Sequence, residues 1–114
     1  MPIVTVSHKG SAAEAVLETL RRELPAIVSR ALECPEEPFD GNLRPGDVNL
    51  RFVAALPDQE GLDYLLEIRT RWTQSRRDNL EARSDEIRGA LEQLGLERFG
   101  VWIELPQAAW SQER

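Results

Sequence analysis

The feature that most constrains this chain is a pattern that occurs twice, a strand followed by a helix and then a second strand. The segment FVAALP at residues 52–57 is echoed by WIELP at 102–106, and each follows a helical segment. A strand, a crossover helix and a parallel strand form a right-handed unit. Two units give a four-stranded sheet with both helices on one face. We therefore predict an α/β (α+β) fold in one domain, residues 1–114, with β-α-β units over about 1–57 and 58–114.

The first unit opens with IVTVS at residues 3–7, which is typical of a short buried strand. Ser11 and Glu14 form a capping-box pattern that predicts the start of a helix. Pro25 lies inside the helical stripe and predicts a kink or a split at that point. The stripe consists of Val16, Leu17, Leu20, Leu24, Ile27, Val28, Ala31 and Leu32.

The remaining strands are indicated by alternation and by the loops between them. Prolines, glycines and acids predict a loop over 33–46, and the alternating DVNLRFVA at 47–54 predicts a half-buried strand. Residues 55–62 predict a turn. The segments DYLLEI at 63–68 and GVWIEL at 100–105 then predict the two strands of the second unit.

The second helix has signals at both ends. Thr73 or Ser75 can cap its start, and Gly95 occupies the place of a left-handed cap at its end. Its apolar stripe consists of Leu80, Ile87, Ala90, Leu91 and Leu94. Arg76 and Arg77 fall off this stripe, so we predict that both lie on the solvent side.

Composition and charge restrict the classes of function. The net charge is −6, with 20 acidic against 14 basic residues, which disfavours a nucleic-acid partner. No apolar run approaches the length of a membrane span, and no signal peptide is evident, so we predict no membrane partner. The single cysteine, Cys34, suits a reducing, cytoplasmic location and has no evident base partner. With His8 as the only histidine, a residue that we assign to a turn, no metal site is predicted.

Four short segments together resemble the tautomerase superfamily, in particular members with tandem β-α-β units. They are MPIVTVS at the start, VNLRF at 48–52, Arg-Thr-Arg at 69–71 and Ala-Trp-Ser at 109–111. The last two are most similar to malonate semialdehyde decarboxylase. The resemblance implies a cofactor-independent enzyme with a catalytic amino-terminal proline exposed by removal of Met1. Ser11 and Asn49 stand where the smaller tautomerases have arginines, so those substrate contacts do not carry over.

The chemistry of Pro2 and of an arginine pair fits this resemblance. A free α-amine has a pKa of about 7.7–8.0, and nearby cations lower the pKa of an amine, so a neutral Pro2 nitrogen is a general base poised near neutrality. Arg69 and Arg71 have i, i+2 spacing, so in an extended backbone their side chains point to the same face. Two guanidinium groups can clamp a carboxylate. The alternatives are a proline that only starts a strand and arginines that pair with acids such as Glu67.

Three further residues are weaker candidates. Asp47 matches the aspartate that precedes strand two in the decarboxylase relatives; it could orient a water or donate a proton, or it could only begin the strand. Arg51 could bind substrate on the polar face of that strand, or form a surface ion pair. Trp110 could form the wall of a substrate pocket, or pack in the core or at an interface.

The predicted activity is tautomerisation, decarboxylation or hydration of a small anionic oxo- or unsaturated carboxylate. The match at 69–71 slightly favours decarboxylation or hydration. One face of the sheet stays uncovered in a single chain, so we expect a homo-oligomer, with a trimer favoured. The alternatives are a non-catalytic ferredoxin-like or α+β-barrel binding module, and a tautomerase-fold protein that has lost its activity.

Overall fold

The computed structural model describes residues 2–37, 41–107, 109 and 111–113. The elements are β1 (Ile3–Lys9), α1 (Glu14–Leu32), a 3₁₀ turn (Pro45–Asp47), β2 (Asn49–Leu56), β3 (Tyr64–Arg69), α2 (Gln74–Asp78), α3 (Leu80–Gln93) and β4 (Phe99–Glu104). The predicted four-stranded sheet with its helices on one face is confirmed. Strands begin or end one or two residues away from the predicted bounds, as at β2.

The sheet is mixed, and its order is β2-β1-β3-β4. The outer pairs, β1 with β2 and β3 with β4, are parallel, whereas the central pair of β1 and β3 is antiparallel. Ile3 therefore lies between Asn49 of β2 and Arg69 of β3. The starts of β1 and β2 and the ends of β3 and β4 consequently share one end of the sheet.

The core lies between the inner face of the sheet and the helices α1 and α3. Because strand side chains alternate between faces, Val4 and Val6 are fully buried while Thr5 between them is not. The fully buried core residues are Val4, Val6, Leu24, Val28, Leu32, Leu66, Ile68, Ile87 and Leu91. The outer face of the sheet has no layer of described residues over it. It includes Val53 of β2 and Trp102 of β4, which are 45% and 59% exposed.

Helix α1 runs through Pro25 as one element, so the predicted split is wrong. Proline removes one intrahelical hydrogen bond, to the carbonyl of Arg21 four residues earlier, and that residue is exposed to water. Leu24 and Val28 are fully buried on either side of the proline. Packing of both halves on the same sheet therefore outweighs the lost bond.

The predicted capping box at Ser11 is also wrong. Helix α1 begins at Glu14 after Ala13, whose side chain makes no capping hydrogen bond. The Ser11 hydroxyl instead donates to the Asp58 carboxylate, with an Oγ–Oδ1 distance of 3.0 Å. The serine thus ties the start of the first crossover to the turn between β2 and β3.

The second helical region is broken in two, although its predicted ends are confirmed. Thr73 caps α2 by accepting a hydrogen bond from the Arg76 amide at 3.2 Å. Asn79 leaves helical geometry with φ −129° and ψ 32°, which separates α2 from α3. At the far end, Gly95 has φ +86° and the Leu96 amide donates to the Leu91 carbonyl, as in a Schellman motif.

Two predicted positions of polar side chains are corrected by the structure. His8 lies within β1 and is buried, rather than in a turn. Arg76 is fully buried rather than on the solvent side. The guanidinium of Arg76 reaches backbone carbonyls of distant segments, and these acceptors offset the cost of burying its charge.

Candidate functional site

The candidate site lies at the end of the sheet where β1 begins. The Asn49 amide donates to the Pro2 carbonyl at 2.8 Å, which places Pro2 beside the start of β2. On the other side, Ile3 is paired with Arg69 of the antiparallel strand β3. Extending this pairing by one residue places Pro2 opposite Thr70. The fold thus brings the amino-terminal proline to the segment that carries Arg69 and Arg71.

The proline ring is held firmly. Pro2 is among the fully buried side chains of the chain. It has the strand parity of Val4, which faces the helices. A rigid ring that is buried on the core side fixes the position of its nitrogen without a rotamer cost.

The arginine pair has the geometry that its spacing predicts. The backbone stays extended past the end of β3, because the amides of Thr70 and Trp72 donate to the carbonyls of Glu104 and Pro106 at 3.2 and 3.3 Å. Thr70 is buried, and the arginines on either side of it, Arg69 and Arg71, are exposed. Both arginines therefore lie on the outer side of the sheet.

An acidic residue occupies part of this surface. The Glu104 carboxylate is 3.3 Å from Nε of Arg69 across the β3–β4 pair, and the same carboxylate accepts from Nε1 of Trp102 at 2.9 Å. The sequence offered Glu67 as an acid that could pair with the arginines. The signal that identifies Glu104 is the strand register, which sets it opposite Arg69.

Arg51 joins the same face. It is paired with Thr5, and Thr5 is paired with Glu67 on the other side. A shallow cavity of about 270 Å³ is lined by Ile3, Thr5, Arg51, Glu67 and Arg69. Two guanidinium groups and one carboxylate therefore line this depression.

Asp47 is used within its own turn. The Asp47 carboxylate accepts from the Arg44 amide at 2.9 Å, and the Asp47 amide donates to the Arg44 carbonyl at the same distance. This side chain holds the 3₁₀ turn ahead of β2, which matches the structural alternative for it. Trp110 lies outside the described residues.

Sequence reasoning missed a polar cluster behind the site. The Cys34 thiol is fully buried, and its Sγ atom lies 2.8 Å from the Ser75 hydroxyl and 3.3 Å from that of Thr73. A hydrogen bond from Ser75 holds the pKa of Glu36 below its ordinary value. The hydroxyl of Thr70 is buried without a hydrogen-bond partner in the part of the chain that the structure describes.

The described ranges contain no group of three or more histidine, cysteine, aspartate or glutamate side chains that could hold a metal ion. Over the same ranges, no helix is long and apolar enough to cross a membrane.

Comparisons with known proteins support the fold. No family model and no curated protein matches the chain. Among solved structures, a macrophage migration inhibitory factor-like protein from Entamoeba histolytica aligns with a TM-score of 0.57 at 16% identity, covering 98% of this chain and 93% of its own. A protein described as native Ps01740 aligns with a TM-score of 0.59 at 16% identity, covering 97% of this chain and 99% of its own.

A protein of unknown function from Vibrio cholerae aligns with a TM-score of 0.53 at 17% identity, covering 94% of this chain and 79% of its own. These comparisons give no support to the narrower similarity to malonate semialdehyde decarboxylase. The chain has the fold of macrophage migration inhibitory factor-like proteins, which is the tautomerase-superfamily fold.

Proposed function

We propose that this protein is a cytoplasmic, cofactor-independent enzyme that acts on a small oxo- or unsaturated carboxylate through the nitrogen of Pro2. Met1 is removed in this proposal, because an amide nitrogen has no basicity and a terminal secondary amine has. Arg69 and Arg71 hold the substrate carboxylate, and Arg51 assists from β2.

The observation that carries the proposal is the shared end of the sheet. Pro2 directly precedes β1, one of the two central strands, and the arginine pair flanks the residue opposite Pro2 at the end of β3. An arginine pair can bind a carboxylate in a fork geometry and favours the neutral form of a nearby amine. In this proposal, one end of the sheet carries the proton-transfer group, and the anion-binding group lies on the outer side of the same end.

Proton transfer at Pro2 accounts for the simplest reaction of this class. In the conversion of an enol to a ketone, the neutral Pro2 nitrogen takes the hydroxyl proton of the enol as the carbonyl forms. The protonated nitrogen then delivers a proton to the carbon of the former double bond. In a decarboxylation, a protonated Pro2 would polarise the carbonyl while the bond to the carboxyl carbon breaks and CO₂ leaves. The electron pair of that bond forms an enolate, which then takes a proton at carbon from Pro2 or water.

The resemblance of residues 69–71 to the decarboxylase branch favours decarboxylation or hydration as the native reaction. Trp110 belongs to that branch of the proposal and would form a wall of the pocket, whereas the Asp47 carboxylate is used in its own turn and has no part in it. Phenylpyruvate tautomerisation is the practical assay, because it requires only a proton-transfer group beside a carboxylate site.

The exposed outer face bears on assembly. We include in the proposal a homo-oligomer, with a trimer favoured, that covers the outer face on which the 270 Å³ cavity lies. Val53 and Trp102 on this face are 45% and 59% exposed, and such an oligomer would bury them. Sedimentation of the purified protein measures its stoichiometry directly.

The experiment that tests the function joins intact mass spectrometry with the phenylpyruvate assay. We expect a mass without Met1, and a Pro2→Ala variant that loses about 10²- to 10⁴-fold in kcat, the usual contribution of a positioned acid–base group. Pro57→Ala, which changes an exposed proline after β2, is the matched control and should keep full activity. Retained Met1, or full activity in Pro2→Ala, overturns the proposal and favours the non-catalytic binding module.

A further inference from the structure

Arg76 of α2 is the largest fully buried side chain of the described residues. Its Nε and Nη2 atoms donate to the Leu32 carbonyl at 3.1 and 2.8 Å. Its Nη1 atom donates to the Arg71 carbonyl at 3.0 Å. One guanidinium group thus joins three separate segments: the end of α1, the segment after β3, and α2 itself.

The Leu32 end of this link has a clear electrostatic reason. Leu32 is the last residue of α1, so its carbonyl has no partner within the helix and lies at the negative end of the helix dipole. A cation at this position is favourable. It also gives the buried charge of Arg76 the hydrogen bonds that burial requires.

The Arg71 end of the link bears on the site. The peptide group between Arg71 and Trp72 is held from both sides, since its carbonyl accepts from Arg76 and its amide donates to the Pro106 carbonyl at 3.3 Å. A fork of fixed shape can hold a carbonyl at a set distance, which a single ammonium on a flexible stem does less well. The backbone from which the Arg71 side chain projects is therefore fixed by the Arg76 guanidinium.

We propose that Arg76 is a positioning residue that sets the Arg71 backbone for carboxylate binding, an inference that rests on the proposed function. It acts through Arg71 and does not touch the substrate. Its loss should therefore weaken binding of a carboxylate more than it slows proton transfer at Pro2.

Arg83 of α3 provides a matched control, because it caps the same helix end without reaching Arg71. Its Nη1 atom donates to the carbonyls of Ala31 and Glu33 at 3.0 and 2.8 Å. A role limited to holding the end of α1 would be shared by Arg76 and Arg83. A role in placing Arg71 belongs to Arg76 alone.

The test compares Arg76→Lys with Arg83→Lys in the full chain. The probes are phenylpyruvate for turnover and 3-phenylpropionate, which cannot enolise, for binding by calorimetry. We expect Arg76→Lys to raise KM and the Kd of 3-phenylpropionate by about tenfold, the effect of one lost charged hydrogen bond, with kcat nearly unchanged. Arg83→Lys should leave both constants at the wild-type values.

A background substitution shows whether the effect passes through Arg71. In an Arg71→Ala protein, adding Arg76→Lys should change the Kd no further. Equal effects of Arg76→Lys in both backgrounds, or equal effects of Arg76→Lys and Arg83→Lys, overturn the inference. If the wild type neither turns over phenylpyruvate nor binds 3-phenylpropionate, the proposed function and this inference fail together; if it does both and only Arg76→Lys is silent, the inference fails alone.

A measurement on the wild-type protein covers the case in which Arg76→Lys does not fold. The Nε–H group of Arg76 is buried and hydrogen-bonded, so its proton should exchange slowly with water and its ¹H–¹⁵N NMR signal should be observable. Saturation with 3-phenylpropionate should shift this signal while that of Arg83 stays in place. An unmoved Arg76 signal at saturation counts against the inference.

Discussion

The two β-α-β units have the same order of elements, but their crossovers contribute differently to the molecule. Helix α1 of the first unit has 19 residues, whereas α3 of the second has 14. The buried residues of α1 are Leu17, Leu20, Leu24, Val28, Ser29, Ala31 and Leu32, and those of α3 are Ile87 and Leu91. The first crossover thus supplies most of the helical side of the core, while the second combines a shorter apolar stripe with the buried charge of Arg76.

The difference shows that two units with the same topology need not contribute equally to the stability of the fold. Helix α1 covers the inner face of the sheet with a continuous stripe of apolar side chains. The second crossover is then free to break at Asn79 and to use α2 for polar links to the site.

The largest expected effect separates the two helices directly. Leu24→Ala in α1 removes a fully buried side chain and should lower the free energy of unfolding by about 2–5 kcal/mol. Leu80→Ala at the start of α3 removes a half-buried side chain and should cost about 1 kcal/mol. Urea denaturation measures the free energy of unfolding of both variants. Equal losses in the two variants would contradict the difference between α1 and α3.

Two glycine substitutions in the second unit should change its stability by smaller amounts and in opposite directions. Gly95→Ala forces a side chain into the left-handed conformation at φ +86° and should cost about 1–2 kcal/mol. Gly89→Ala lies within α3 with open space at its Cβ position and should stabilise by about 0.5–1 kcal/mol. Thermal unfolding of the two variants tests this, and a destabilised Gly89→Ala would contradict it.

The smallest expected effect concerns the ion pair that joins the two units. Hydrogen bonding from Lys9, 2.8 Å away, holds the pKa of Asp63 below its ordinary value. A lowered carboxyl pKa gives stability that is present at neutral pH and is lost as pH falls through the folded-state pKa. We expect Lys9→Met to lower Tm slightly at pH 7.

The same substitution should make no difference at a pH well below about 3.9, where aspartate is protonated. A series of melting curves from pH 7 to pH 2 provides the measurement. An Asp63→Asn background is the control, since Lys9→Met should lose its pH-dependent effect there. A Tm difference that is constant across the series would show that Lys9 acts by packing alone.

Much of the fold could be predicted from the sequence because its signals are local. Alternating apolar residues, the Thr73 cap and Gly95 are each read within one or two turns of chain. The misassigned residues depend on distant partners. Ser11 bonds to Asp58, and Arg76 bonds to Leu32, so neither interaction is visible from the neighbouring letters.

The placement of the candidate residues could be predicted from the sequence only in part. The spacing of Arg69 and Arg71 fixes a common face wherever the backbone is extended, and the backbone is extended there. Which strand lies beside which is set by topology, so the contact of Arg69 with Glu104 could not be read from the sequence. The place of Asp47 could be predicted neither from residue spacing nor from strand pairing. Its carboxylate accepts a hydrogen bond from the Arg44 amide within its own turn.

The antiparallel pairing of β1 and β3 has a consequence for symmetry. It relates the two units by an approximate twofold axis through the middle of the sheet, so the start of β1 at one end corresponds to the start of β3 at the other. The far end carries the Lys9–Asp63 ion pair and a buried tyrosine, Tyr64. A duplicated framework thus has two equivalent ends with different side chains, and the molecule is nearly symmetric in topology although it is not symmetric in the residues at its two ends.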